Sequence, residues 1–412
     1  MYKYLVAFVL LTPLIGIWMV ETGEHAAAIG VDGYPNGAAF AYAGYAAVVA
    51  AVAWLCRGTR VMVRNRATRS QEIDKQLRMF GKNLLILSSI FLVVFLFGFG
   101  AINVWTGDIG KGQFRVGLGQ LGAIPNLMTK FILPALLAYF AALYRRSSRR
   151  ADLRRLLAAN FIVIFVIGAS WGFKSTAVMM LVPALLMLYW KVSIRTLLQG
   201  TLVLVICLAI FFYLFDASVE ENAQVHTYLF NRITVRQGDL AWYIWDQYVS
   251  GEKFPNYWPT LLAALGDKVL TFFGLSRDNF SEWAMYHYDY MLTYLAGVSP
   301  EQIEEGHSLT ATPFAEGLVA GGMYGVALFA LLGGVLVGRL HWFIGRSLGR
   351  GDDAYAALGA TYFCFYVFGW LNGGAVVQLF HISVWVSVGV TLIAFKLMRG
   401  QRVFSGHQLA AG

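Results

Sequence analysis

The stretch Leu84-Leu85-Ile86-Leu87-Ser88-Ser89-Ile90-Phe91-Leu92-Val93-Val94-Phe95-Leu96-Phe97-Gly98-Phe99-Gly100-Ala101-Ile102 runs nineteen residues without a charge. It follows a segment, 57–82, that carries Arg57, Arg60, Arg64, Arg66, Arg69, Lys75, Arg78 and Lys82 against Glu72 and Asp74. A bilayer core of about 30 Å needs roughly 20 apolar residues in a helix. A run of that length with a basic flank is therefore the signature of a membrane span with its positive side marked.

Reading outward from it, ten such runs emerge: 4–20, 38–56, 83–103, 126–144, 156–171, 175–190, 196–215, 313–338, 353–371 and 375–396. The fifth and sixth are short and separated by a tight turn at Gly172-Phe173-Lys174, so they read either as two spans or as a re-entrant pair. Composition agrees. Of 412 residues, 58% are hydrophobic and only 13% charged, with a mean hydropathy of +0.59. A soluble chain carries about 25% charged residues, so this one cannot coat a water-facing surface. Cys56, Cys207 and Cys364 sit in or beside apolar runs without metal-ligand spacing, which excludes a disulfide scaffold and a thiolate metal site. The sequence thus reads as an all-α polytopic membrane protein of about ten helices.

Charge sets the orientation. With both ends on one side, that side holds 23 Lys+Arg against 5 Asp+Glu, a balance of +18. The other side holds 8 against 17, a balance of −9. The positive-inside bias makes the first side cytoplasmic. The basic arrays then face anionic headgroups, and nucleic acid is excluded as a partner. The first run, at 17 residues, exceeds the 7–15 of a signal-peptide core and reads as a retained span. The chain divides into 1–215 with seven spans, a large outer loop 216–310, and 311–412 with three spans and a tail.

The outer loop carries the chemistry. Of its 95 residues, 17 are Phe, Trp or Tyr, too many for a disordered tether. A mostly helical loop is expected, with one helix over 222–249 and a second over 259–273. Leu261, Leu262, Leu265, Val269, Phe272 and Phe273 recur at helical spacing in the second, which suits the membrane interface or packing on the spans below. In the first, Arg232 and Arg236 are four apart and share a face, where like charges repel. An anion between them, or pairing with Asp239, Glu220 or Glu221, resolves the repulsion. The planar fork of arginine suits phosphate oxygens.

Two more outer basic sites favour the anion. Lys111 and Arg115 lie in a glycine-rich loop, 107–122, and Lys174 occupies the turn between the two short spans. A cation at membrane depth implies a functional partner. His307, beside Glu305 and Ser308 at the mouth of the eighth span, is suited to take a proton near neutral pH. Glu316, near the N-terminus of that span, can orient the histidine or bind an arginine. Gly317, Gly321 and Gly325 form a small-residue face for close helix approach.

These stretches resemble the Wzy-type oligosaccharide repeat-unit polymerases, the O-antigen and exopolysaccharide polymerases of bacterial inner membranes. The likeness is carried by Gly112-Gln113-Phe114-Arg115 through Pro125-Asn126-Leu127, Gly168 to Ser175, Arg232 to Gln237, and His307 to Gly325, covering roughly 104–330. The resemblance implies a glycosyltransferase without metal or other cofactor. It would move a growing glycan from undecaprenyl pyrophosphate to the non-reducing end of a lipid-linked repeat unit. Arg115, Arg232 and Arg236 would handle pyrophosphate, with Lys111 and Lys174 beside them. Lys174 stands where many members carry arginine. His307 is closer to the related O-antigen ligases, in which a histidine of the outer loop is thought to act as base. A ligase-like glycan transferase and a flippase of lipid-linked sugars are the rival readings. A chain-length regulator and a flippase are the implied partners.

Trp242, Tyr243, Trp245, Tyr257, Trp258, Trp283, Tyr286, Tyr288 and Tyr290 offer aromatic faces for sugars or for the core.

Overall fold

We describe a computed structural model. It describes residues 1–26, 29–58, 71–147, 151–172, 174–193, 235–254, 256–266, 269, 272–273 and 312–399. Arg232 and His307, the run 196–215 and the first part of the helix expected from 222 lie outside the described residues.

The described helices are, in chain order, α1 (Tyr2–Glu21), α2 (Ala38–Cys56), α3 (Gln71–Val93), α4 (Ile102–Thr106), α5 (Lys111–Gly117), α6 (Ala123–Leu127) and α7 (Leu133–Arg146). They continue with α8 (Ala151–Ala169), α9 (Lys174–Leu188), α10 (Val235–Val249), α11 (Pro313–Arg350), α12 (Asp353–Tyr362), α13 (Phe368–Gly373) and α14 (Ile382–Arg399). A two-residue antiparallel pair, β1 (His25–Ala26) with β2 (Val31–Asp32), closes the turn after α1. Short π-helical turns extend α3 to Gly98, link α6 to α7, and link α12 to α13.

Among the described residues, seven helical stretches are long and apolar enough to cross a membrane: Tyr2–Glu21, Ala38–Cys56, Asp74–Gly98, Ala123–Arg146, Pro313–Arg350, Asp353–Gly373 and Val376–Leu397. Three of the ten expected runs are not among these: 196–215 lies outside the described residues, and 156–171 and 175–190 fall on α8 and α9. The first turns of α8 hold Asp152, Arg154 and Arg155, which leaves its apolar part short. The apolar part of α9, Thr176–Leu188, is shorter still. Side chains exposed on the long helices are large and apolar, among them Phe40, Trp54, Leu55, Phe97, Tyr324 and Leu397. In a soluble protein such surfaces would aggregate; in a bilayer they meet lipid.

The chain forms two compact units. The first comprises 1–56, 189–338 and 368–379; the second comprises 57–188, 339–367 and 380–412. The described part of 216–310 therefore belongs with α1, α2 and the first part of α11.

In the second unit α7 is the central helix. Ten consecutive residues, Leu133 to Ala142, are buried, as expected of a helix apolar all round. Around it α3, α8, α9 and α12 gather. Gly81 lets α3 approach closely, because a Cβ there would lie 2.6 Å from Phe140 and 2.7 Å from Leu156. Some residues of the basic arrays also hold structure together. Arg146 donates to the Leu348 carbonyl at 2.8 Å and pairs with Asp353 at 3.2 Å, while Arg145 donates to the Met187 carbonyl at 3.3 Å.

In the first unit α10 lies along α1. Gly238 makes this possible, because a Cβ there would fall 2.2 Å from the Ile17 nitrogen and 2.7 Å from the Pro13 carbonyl oxygen. A second close approach occurs inside α11. The expected continuous span 313–338 breaks at Gly321 and Gly322, where φ/ψ are −179°/29° and 59°/−142°. The arms on either side fold together, and a Cβ on Gly325 would meet the Gly317 carbonyl oxygen at 2.1 Å. The glycine face anticipated for another helix is used by the helix on itself.

Candidate functional site

Glu316 is fully buried in the short arm of α11. Its carboxylate accepts from the Tyr257 hydroxyl at 2.5 Å, the Trp370 indole N–H at 2.8 Å and the Val376 backbone N–H at 2.7 Å. Two of these partners can only donate, so the carboxylate is an acceptor hub. It joins the loop after α10, the end of α13 and the turn beyond it. Desolvation, followed by the charge and hydrogen bond of Glu316, raises the Tyr257 phenol well above its ordinary range. The sequence pointed to a histidine or an arginine as the partner of Glu316; among the described residues its donors include a tyrosine, a tryptophan and a backbone amide, while His307 lies outside them.

Tyr257 also opens the segment expected to be a second α-helix over 259–273. Trp258–Leu265 is a 3₁₀ helix, whose period of three puts Tyr257, Thr260 and Ala263 on the buried side. Trp258, Leu261 and Leu265 face outward, as do Phe272 and Phe273 beyond it.

Above the membrane end of α1, the loop 31–37 is clipped to α10. Trp242 donates its indole N–H to the Tyr34 carbonyl at 3.2 Å and Trp245 donates to the Asn36 carbonyl at 3.0 Å. Asp246 accepts from the Tyr34 hydroxyl at 2.6 Å and from the Asn36 amide at 3.1 Å. Trp242 is buried with its ring edge-on to Tyr34 at 5.1 Å, and Trp245 stacks on Phe314 at 5.8 Å. Trp242 and Trp245, read from the sequence as faces for sugars or for the core, make these packing contacts.

These contacts fix the direction of α10, which runs alongside α1 from Gly238 at Gly16 to Asp246 at the loop beyond Glu21. Gly16 lies about 7 Å below the end of α1 at 1.5 Å per residue. Arg236 lies deeper still, and its side chain is exposed.

The glycine-rich segment 107–122, expected as a loop, is helical from Lys111 onward: α5 is followed by a 3₁₀ turn at Gly119–Gly122. Lys111 and Arg115 consequently stand one helical turn apart on α5. Lys174 is the first residue of α9. In the second unit, α5 meets the turn that precedes α9. Phe114, next to Arg115, contacts Trp171 edge-on at 5.9 Å, and both rings pack on Phe95 at 6.0 and 5.0 Å. The junction was not readable beforehand, although Phe95, Phe114 and Trp171 were the aromatic residues that could have suggested it.

No cluster of metal-ligating side chains occurs among the described residues. No protein-family model, curated protein or solved structure matches the chain.

Proposed function

We propose that the protein is a Wzy-type polysaccharide polymerase of the bacterial inner membrane. Both termini are cytoplasmic and the reaction takes place at the outer face. A glycan linked to undecaprenyl pyrophosphate is the donor, and a lipid-linked repeat unit is the acceptor. The hydroxyl oxygen at the acceptor's non-reducing end forms the new bond to the donor's anomeric carbon. The bond from that carbon to pyrophosphate breaks, undecaprenyl pyrophosphate leaves, and His307 takes the hydroxyl proton.

The observation that carries this reading is the contact of Phe114 with Trp171. It joins two stretches of the family resemblance, Gly112–Arg115 and Gly168–Ser175, and with them the backbone positions of Lys111, Arg115 and Lys174. A departing pyrophosphate gathers negative charge, which preorganised cations stabilise. Arg236 adds support, because its guanidinium is exposed on α10 and its fork suits phosphate oxygens.

The test is glycan chain length in cells carrying single variants. Arg115→Ala and Arg236→Ala should leave single repeat units on the carrier at normal protein levels, and lysine should rescue poorly because the fork is lost. His307→Gln should behave in the same way, with a loss of about 10²–10⁴ in rate. Long chains at wild-type abundance in all three variants would remove the proposal. Reporter fusions at Gly251 and Gly351 should read outside and inside; the reverse would remove the topology on which it depends.

A further inference from the structure

An open cleft of about 460 Å³ lies in the second unit where the basic ends of α3 and α8 meet. Its volume is that of a small-molecule site. Arg78 and Lys82, one turn apart on α3, face Asp152 and Arg155 on α8, with Leu156 and Ala159 as the apolar floor. Arg78 bridges to Asp152 at 2.7 Å, so one wall is neutralised. Lys82 and Arg155 have no carboxylate within 4.0 Å among the described residues.

The floor is held in place. Gly81 closes on Leu156, and Asn160 donates to the Gly81 carbonyl at 3.1 Å. Both helices become apolar beyond this level, through Leu84–Ile102 and Phe161–Ile167.

We propose that this cleft binds the phosphate of an anionic phospholipid headgroup. Lys82 and Arg155 supply the charge, Arg155 offers a fork for two phosphate oxygens, and the glycerol end rests on Leu156 and Ala159. Basic pockets between membrane helices bind lipid phosphates by the same logic. The proposal is independent of the polymerase reading.

The test uses the full-length protein in detergent, stripped of lipid. Native mass spectrometry and the unfolding midpoint are followed on adding cardiolipin, phosphatidylglycerol, phosphatidylcholine or inorganic phosphate. The two anionic lipids should bind and raise the midpoint, while phosphatidylcholine should not. The double variant Lys82→Gln/Arg155→Gln removes two exposed charges that have no ion pair among the described residues. It should weaken anionic-lipid binding roughly 25-fold, at about fivefold per charge. The off-site pair Lys75→Gln/Arg154→Gln should weaken it much less.

A response to inorganic phosphate that the Lys82/Arg155 variant abolishes would assign the cleft to free phosphate in place of lipid. Equal loss in both double variants, or equal binding of phosphatidylcholine, would overturn the site.

Discussion

Trp370 and Glu316, fifty-four residues apart in sequence, meet as an indole N–H and a carboxylate oxygen 2.8 Å apart in a wholly buried setting. With Tyr257 and Val376 on the other oxygen, this pair ties the stretches around Tyr257 and 370–376 to the short arm of α11. A buried carboxylate that loses a donor keeps its desolvation cost. Trp370→Phe should therefore destabilise by about 1–3 kcal/mol, visible as a lower thermal midpoint in detergent. Glu316→Gln should be no milder, because an amide nitrogen facing the indole sets donor against donor. An unchanged midpoint in both variants would make the hub dispensable.

The break in α11 predicts an asymmetry between neighbouring glycines. Gly322 has φ +59°, and a Cβ there would also lie 3.0 Å from the Tyr248 ring, whereas Gly321 is extended with open space around it. Gly322→Ala should cost about 1–3 kcal/mol, while Gly321→Ala should be nearly silent. Parallel unfolding curves of the two variants decide the point.

At the α1–α10 contact, Gly238→Ala has no room unless the helices part. Overpacking of this kind costs typically 1–3 kcal/mol, and Gly238→Leu should prevent docking of α10. Limited proteolysis would report it, as cleavage within 235–254 that the wild-type protein resists.

The clip of Tyr34 on Asp246 gives a pH dependence. The hydrogen bond to Asp246, then desolvation and the nearby charge, raise the Tyr34 phenol above its ordinary value of 10.0. A raised folded-state value means that the stabilisation is fully present below pH 10 and is lost as pH rises through the folded-state value. Tyr34→Phe should be less stable than wild type at pH 8, and the gap should close above pH 10. A gap that stays constant would show that the hydroxyl contributes nothing.

The spans Tyr2–Glu21, Ala38–Cys56 and Val376–Leu397 were legible to within a few residues, because an apolar run with polar flanks admits one reading. The segment 107–122 was not, since its glycines disfavour a helix by local propensity while Phe114, through its contacts with Phe95 and Trp171, supplies tertiary support. The break at Gly321–Gly322 was hidden by its own spacing, for glycines four apart look the same whether they receive a foreign helix or the same chain returning. Of the candidate site, Glu316 was visible as an intramembrane charge. Its partners were not, because residues 54 and 59 positions away carry no mark of their proximity. The cations of α5 and α9 were legible as residues, but the contact of Phe114 with Trp171 was not.

The docking of α10 on α1 also orders events in time. Trp242 reaches back to Tyr34 across 208 residues, which a ribosome working at about 5–20 residues per second takes roughly ten to forty seconds to make. Through that interval the stretch of α1 around Gly16, where Gly238 will pack, is without that partner. A helix made that long before its partner is completed late, and until then its face at Gly16 is open to any other helix in the membrane that offers a glycine.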